Sequence, residues 1–314
     1  MKKISELTEF YYRELHPILV QLEKKRTTIR FRLILVACAL LLCDLIYLRY
    51  ARVDFIMMLS INALIAFGMY RYLMRGYKDD FKDNVILPLI HHIDANLVYM
   101  KKSHIDQKSF EQSKIFTETP DGLSGNDYIY GKIDDIMIEL SDVHAWKKER
   151  NAKNKITIKT LFKGLFIVSE FNKSFKGTTV VLPDVAQSSF GNLVGGWLQS
   201  HNLHREDLVK MDNVLFEQQF VVYGSDQIEA RYILSHALMK RLLEFQERSK
   251  HRICVSFVNA KIYLAIEYNK DLFEPSVFRS LLEYKTALEY IATLHLAIGI
   301  VEELQLNEKL WSKA

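Results

Sequence analysis

The sequence predicts an α+β protein: an N-terminal helix and a two-helix transmembrane hairpin, then a cytoplasmic domain with a mainly antiparallel sheet covered by helices. Two observations lead to this prediction. Two strongly apolar segments lie near the N-terminus, and from residue 128 the apolar spacing changes from the helical period to the alternation of strands. The expected divisions are a juxtamembrane helix, a transmembrane hairpin, a helical linker region and an α+β domain, at 1–30, 31–75, 76–127 and 128–314.

Composition excludes several classes of function. A chain of 314 residues with 12% aromatic residues can bury a sizeable core. The net charge of +4 is small, and away from the apolar segments the basic residues are spread out, so nucleic-acid binding is not expected. The three cysteines, Cys38, Cys43 and Cys254, form no Cys-x-x-Cys pair and are interpreted as reduced packing residues. No cofactor or metal site is predicted.

The juxtamembrane helix is predicted from residues 4–30, where Leu7, Tyr11, Leu15 and Leu22 have helical spacing. The two apolar segments follow at residues 33–48 and 55–70. Each extends to roughly the 20 residues that a bilayer requires if the flanking arginines snorkel. A buried helical hairpin and a shallow membrane-embedded one are the alternatives to a spanning pair.

Flanking basic residues predict the orientation of this hairpin. The connecting loop contains only Arg49 and Arg52, and the remaining bases lie on the outer sides of the pair: Lys24, Lys25, Arg26, Arg30, Arg32, Arg71, Arg75, Lys78 and Lys82. The positive-inside rule therefore places both termini in the cytoplasm. Asp44, the one acid in an apolar segment, is expected to pair with Arg49, Arg52 or headgroup water rather than to form an ion or proton path.

Strand periodicity dominates the rest of the chain, and two of the predicted strands carry candidate contact residues. Leu161–Val168 and Thr178–Leu182 are expected to pair as a hairpin, connected by 172–177. Its basic residues Lys163, Lys173 and Lys176 are candidates for contact with an anion or a lipid headgroup. The repeated Phe-Lys-Gly triplet does not fit a P-loop, because each Lys precedes its Gly and a strand follows.

Further strands are predicted at Leu215–Tyr223, Arg252–Val258 and Lys261–Glu267, the last two joined by a two-residue turn at Asn259-Ala260. Ser235 is expected to cap one helix, and Pro275 is expected to open a long C-terminal helix. Short strands followed by a long helix also give an analogy of fold with pleckstrin-homology-like barrels.

The strongest polar pattern is Asp226, Glu229 and Arg231. A capping box, with Asp226 as N-cap and Glu229 at N3, is preferred to a ligand clamp. A second group of carboxylates is interpreted as a solvated strand edge rather than an acid/base pair: Asp134, Asp135, Glu139 and Asp142.

Four stretches resemble a bacterial family catalogued as domain of unknown function 3137: YRELHPILVQLEKKR at 12–26, FKGLFIVSEFNK at 162–173, DNVLFEQQFVVYGSDQIEARYIL at 212–234 and DLFEP at 271–275. The resemblance implies a membrane-anchored protein of the bacterial inner membrane, without catalytic residues to carry over. The resemblance also extends to gene context: members are similar in this respect to proteins that accompany the LemA family, whose members are membrane-anchored helical proteins. This similarity suggests a LemA-like partner.

Two functions remain open. The favoured one is a membrane-anchored cytoplasmic scaffold or binding module that recognises a protein partner, a second copy of the chain or a lipid headgroup. The alternative is a membrane-tethered enzyme of unrecognised type, whose polar residues come together only in the folded chain.

Overall fold

The structure is a computed structural model that describes residues 3–50, 55–133, 135–150, 154–171, 175–184, 208–268 and 271–304. The chain divides into two compact units. A helical unit comprises Lys2–Ile93 and Phe273–Ala292, and a sheet unit comprises Asp94–Leu272 and Thr293–Ala314.

The helical unit is built from the N-terminal third of the chain. Its helices are α1 (Ile4–Arg13), α2 (His16–Tyr50), α3 (Phe55–Phe81) and α4 (Leu87–Ile93), with a π-helical turn at Lys82–Ile86 between the last two. α4 ends at Ile93, within the region predicted to be a helical linker, and the Asp94 side chain then accepts a hydrogen bond from Asn96 N at 2.8 Å and forms a turn.

Within the described residues, one helical stretch is long and apolar enough to cross a membrane. It runs over Ile56–Ile93 with a mean hydropathy of 1.4, and none of its apolar window is buried. This gives weak support for membrane association, whereas a two-helix hairpin is not confirmed by this criterion. The prediction of a mixed helical and antiparallel-sheet protein with an N-terminal helical region is confirmed.

A segment from the far end of the sequence completes the helical unit. Tyr11 Oη donates to Leu281 O at 2.9 Å, and Arg26 Nη1 donates to Val277 O at 2.8 Å. Glu23 forms an ion pair with Arg26 at 2.6 Å and accepts a hydrogen bond from Leu281 N at 3.3 Å. These bonds hold the backbone of residues 277–281, so the segment is part of the unit's core structure.

The predicted helix start at Pro275 is wrong. The last long helix, α9, covers Tyr284–Ile298, and a short α10 follows at Ile300–Glu303. Ser276 Oγ accepts from Phe278 N and Ser280 Oγ accepts from Leu282 N, at 3.1 and 3.2 Å. Such local hydrogen bonds to side chains compete with the backbone hydrogen bonds of a helix. The helix therefore begins about two turns after Pro275.

The described residues of the sheet unit form nine strands: β1 (Val98–Met100), β2 (Gly122–Ile133), β3 (Ile136–Arg150), β4 (Ile156–Glu170), β5 (Thr178–Pro183), β6 (Leu208–Val209), β7 (Phe220–Gly224), β8 (Ile253–Val258) and β9 (Lys261–Glu267). Every pairing between them is antiparallel, in the order β1-β2-β3-β4-β9-β8-β5-β7-β6. The analogy with pleckstrin-homology-like barrels is not confirmed. Helices α5 (Gln107–Gln112), α6 (Val214–Glu217), α7 (Gln227–Ile233) and α8 (His236–Ser249) lie between strands in the chain.

The predicted pairing of β4 with β5 is wrong, because the β8–β9 hairpin lies between them. β4 pairs with β9, and β5 pairs with β8 and β7. The turn Asn259-Ala260 has φ values of 53° and 56°, the left-handed conformation of a tight two-residue hairpin. This turn was predicted, but no local signal shows that its hairpin inserts between two earlier strands.

The strand predicted at Leu215–Tyr223 begins late. Asn213 caps α6 by accepting a hydrogen bond from Phe216 N at 3.1 Å, so residues 214–217 are helical and β7 starts at Phe220. The prediction that Ser235 caps a helix is confirmed, since its Oγ accepts from Leu238 N at 3.4 Å at the start of α8.

Candidate functional site

The loop before β5 is fastened to α7 by the side chain of Glu229. Asp226 caps α7 as predicted, accepting from Ile228 N and Glu229 N at 2.8 and 3.1 Å. Glu229 does not close a capping box. Its two carboxylate oxygens accept hydrogen bonds from Lys176 N at 2.8 Å and Gly177 N at 2.6 Å.

This loop therefore binds an anion, and the anion is a carboxylate of the same chain. Two successive backbone N–H groups directed at one carboxylate form a charge-assisted pair. A Cβ on Gly177 would lie 2.4 Å from Glu229 Oε2 and 2.6 Å from Ser225 Oγ, which explains the glycine at this position. We call this contact the Glu229 latch; Ser225 Oγ extends it by accepting from Thr178 N at 2.9 Å.

Two further predicted contact residues, Arg231 and Lys163, have partners away from the latch. Arg231 Nε donates to Lys210 O at 3.2 Å, and Lys163 Nζ lies 3.3 Å from Asp271 Oδ1. β4, which carries Lys163, is three strand positions from β5, or about 14 Å at ordinary strand spacing. Lys173 lies outside the described residues. The ligand-contact roles suggested for the six candidates stay predictions: Lys163, Lys173, Lys176, Asp226, Glu229 and Arg231.

A buried pair of carboxyl groups lies elsewhere in the sheet unit, at an irregularity in β2. The register of β2 with β3 shifts between Asn126 and Ile129, and Asp127 there has a φ of 59°. Asp127 is fully buried and accepts a hydrogen bond from the Tyr99 hydroxyl. Asp142, opposite Asn126 on β3, is only 5% exposed.

The interpretation of Asp142 as part of a solvated edge is therefore wrong. Asp142 Oδ2 accepts a hydrogen bond from Leu272 N at 3.3 Å, and Leu272 is the last residue of the sheet unit before the chain enters the helical unit. Asp135 is exposed, Glu139 accepts from the Tyr128 hydroxyl at 2.7 Å, and Asp134 lies outside the described residues.

The surroundings of Asp142 favour its neutral form. Burial and the charges of Asp271 and Asp127 raise the pKa of Asp142 to about 7, against the opposing effects of the Leu272 N–H and Lys163. His144, on the same strand, has its pKa lowered by burial and by Lys163, against the effect of Asp271. The result is a carboxyl group that changes charge near neutral pH at the chain's exit from the sheet unit.

Metal binding gets no support from this group. Among the residues that the structure describes, no set of three or more His, Cys, Asp or Glu side chains could hold a metal ion. The alternation of β3 alone placed Asp142 on one face or the other but could not show which face is covered.

The apolar parts of α2 and α3 are joined by a polar contact. Asn62 Nδ2 donates to Asp44 Oδ2 at 2.7 Å, which gives Asp44 a partner other than the expected Arg49 or Arg52. Arg52 and the Arg49 side chain lie outside the described residues. Around this contact, the apolar side chains of both helices are exposed: Ile34, Leu35, Leu41, Leu42, Leu45, Ile46, Ile56, Met57, Leu59, Ile61, Leu64, Ile65 and Phe67.

Comparisons with known proteins give one family match and one structural neighbour. Residues 160–306 match the family model described as "Protein of unknown function (DUF3137)", which confirms the resemblance seen in the sequence. The comparison with curated proteins gave no match. The crystal structure of the mycobacterial trehalose monomycolate transport factor A is similar at a TM-score of 0.36 and 10% identity, over 71% of this chain and 94% of that one.

Proposed function

We propose that this chain, which carries a domain of unknown function over residues 160–306, is a membrane-anchored cytoplasmic scaffold or binding module. In this proposal α2 and α3 cross the bacterial inner membrane as a hairpin, and both termini and the sheet unit are cytoplasmic. The observation that carries the proposal is the exposed apolar surface of these two helices.

That surface is too large for a protein in water. The thirteen apolar side chains named above are between 45% and 73% exposed. Leaving a large apolar side chain about half exposed forgoes about 1 kcal/mol, so the group forgoes more than about 10 kcal/mol. This is comparable to the whole stability of an ordinary domain, about 5–15 kcal/mol. A bilayer removes the cost, whereas the alternative of a buried hairpin conflicts with the exposure.

The contact between Asp44 and Asn62 supports a pair of spanning helices rather than one. An isolated carboxyl group is costly in hydrocarbon, and polar side chains of neighbouring helices satisfy each other there. The basic residues before α2's apolar part and after that of α3 support the cytoplasmic placement of both ends.

Recognition is proposed for the sheet unit. Exposed apolar side chains lie on α6 and α7, with Val214 at 68%, Leu215 at 65% and Ile228 at 80% exposed. Exposed apolar side chains of this kind are the surface that we propose for contact with a protein partner. The partner we propose is a membrane protein of the LemA-like helical type, a second copy of this chain being the alternative.

A membrane-tethered enzyme remains a second candidate because of Asp142. A buried carboxyl group with a pKa of about 7 is suited to general acid or base catalysis. This candidate rests on a single residue, and the described residues contain no group of His, Cys, Asp or Glu side chains that could hold a metal ion. We therefore favour the binding module.

Reporter fusions test the anchoring. A periplasm-active reporter inserted at residue 51 should be active and the same reporter at the C-terminus inactive, with the reverse pattern for a cytoplasm-active reporter. An external C-terminus would refute the hairpin. Crosslinking in membranes, followed by purification of the full chain, tests recognition: a stoichiometric partner or a crosslinked dimer is expected, and recovery of the monomer alone would contradict it.

A further inference from the structure

Two contacts fix how the residues of α2 and α3 align along the pair. Asp44 meets Asn62 near one end, and Lys25 forms an ion pair with Asp80 near the other. The two contacts are separated by 19 residues on α2 and 18 on α3, about 28 Å at 1.5 Å per residue. The helices therefore run antiparallel in a regular register over this length.

Four arginines fall in one layer of this pair. Arg30 and Arg32 lie about 8 and 11 Å from the Lys25–Asp80 ion pair along α2, and Arg75 and Arg71 lie about 8 and 14 Å from it along α3. All four are exposed. We call them the arginine belt.

The arginine belt differs from the basic residues beside it. Lys25 pairs with Asp80, Arg26 with Glu23 and Lys78 with Glu274. Within the described part of the chain none of the four belt arginines forms an ion pair, and only Arg71 has a recorded contact, over the Phe67 ring at 5.8 Å. The layer thus carries uncompensated positive charge, as does the exposed Lys24, whereas Lys25, Arg26 and Lys78 are neutralised.

Exposed aromatic side chains mark the same layer as an interfacial one. Phe31 is 61% exposed beside Arg30 and Arg32, and Tyr72 is 79% exposed beside Arg71. The apolar side chains of both helices begin directly beyond them, at Ile34 and Phe67. Aromatic and basic residues at the end of an apolar segment occupy the headgroup region of a bilayer.

We propose that the arginine belt is a binding surface for the phosphate groups of anionic phospholipids in the cytoplasmic leaflet. Guanidinium groups bind phosphate oxygens in a bidentate manner, which a lysine ammonium does not. The belt has exposed arginines on both helices and so can contact several headgroups at once. This inference rests on the proposed membrane anchoring and adds the lipid class and the residues that select it.

The test compares lipid retention by the purified full chain. The protein is extracted in a neutral detergent and supplied with equal amounts of phosphatidylglycerol and phosphatidylcholine, and bound lipids are counted by native mass spectrometry. Each surface arginine contributes about fivefold to binding of anionic lipid. We expect the wild type to retain phosphatidylglycerol in at least about tenfold excess, and the variant R30Q/R32Q/R71Q/R75Q to retain the two lipids about equally.

A matched control carries the same charge change on the sheet unit: Lys108→Gln, Lys132→Gln, Lys210→Gln and Lys240→Gln, all at exposed positions. It should keep the wild-type excess. The pair variant R30Q/R32Q should lose part of the excess and serves if the fourfold variant does not fold. An unchanged excess in both belt variants, or loss of the excess in the lysine control, would overturn the proposal.

Failure of this inference is distinguishable from failure of the anchoring. If the wild-type chain resists carbonate extraction from membranes but shows no preference for phosphatidylglycerol, the belt only sets orientation and the inference is wrong. If carbonate releases the chain, the proposed function itself is wrong.

Discussion

At the scale of single residues, Asp142 makes the free energy of unfolding depend on pH. Its pKa is about 7 in the folded chain and 3.8 ordinarily, so the folded state holds the proton more tightly. Between about pH 4 and pH 7 a rise in pH therefore lowers the free energy of unfolding, by about 4 kcal/mol at most. Above about pH 7 this loss is complete.

The variant Asp142→Asn removes the titrating group and keeps an acceptor for Leu272 N–H. We expect its melting temperature to fall less than that of the wild type between pH 4.5 and pH 8, measured on the full chain in detergent. Asp135→Asn, in an exposed turn of the same hairpin, is the control and should follow the wild type. Identical pH profiles for D142N and wild type would show that Asp142 is ordinarily ionised.

The Glu229 latch is expected to contribute to the stability of the sheet unit. Glu229→Gln replaces a charged acceptor of two backbone N–H groups and should destabilise the sheet unit by roughly 1–2 kcal/mol. Amide hydrogen exchange at Lys176 and Gly177 should accelerate in the same variant. Glu247→Gln, exposed on α8, should leave both measurements unchanged. Slow exchange at 176 and 177 in E229Q would contradict the latch.

At the scale of elements, the turn between β8 and β9 contains strain that can be removed. Ala260 has a φ of 56°, where a Cβ is unfavourable by roughly 1–2 kcal/mol and glycine is not. Ala260→Gly should therefore raise the free energy of unfolding by about 0.5–1 kcal/mol in denaturant titration. Ala265→Gly, in the extended part of β9, should lower it. Equal destabilisation by both variants would show that the turn is not left-handed.

Elements with a local cause could be predicted from the sequence. Asp226 and Ser235 cap their helices by bonds to residues two or three positions away, and Asn259-Ala260 makes its own turn. Features that depend on distant residues could not. The helix after Pro275 starts late because serine side chains and side chains some 250 residues away hold the backbone of residues 276–282.

The same distinction explains the candidate site. The acidic residue at 229 was visible as half of a capping box, but its bond to residues 176 and 177 spans more than 50 positions. The burial of Asp142 could not be predicted, because it depends on which elements cover that face of the strand. The alternation of residues along a strand does not give this information. The hydrogen bond between Asp44 and Asn62 joins two helices, so it depends on how α2 packs against α3.

At the scale of the whole molecule, the protein consists of a folded sheet unit and a helical unit that carries an apolar helical pair. The sheet unit has its own aromatic core, in which Phe110 packs on Phe116 and Phe166 at ring distances of 4.6 and 5.1 Å. The helical unit has another, held together by Tyr11, Glu23 and Arg26. Burial alone would raise the pKa of Glu23, but the hydrogen bonds from Arg26, Ser280 and Leu281 bring it below its usual range. Each unit therefore has its own internal contacts, and the bilayer is proposed as the environment of the remaining apolar surface.

Thiol labelling of intact cells with a reagent that cannot cross the inner membrane tests the hairpin anchor most directly. Cys38, Cys43 and Cys254 are first replaced by serine, and a single cysteine is then introduced by Tyr50→Cys or by Lys240→Cys. The account predicts labelling of Y50C from outside and labelling of K240C only after the membrane is permeabilised. Labelling of K240C in intact cells, or equal labelling of both variants, would contradict a hairpin anchor with a cytoplasmic sheet unit.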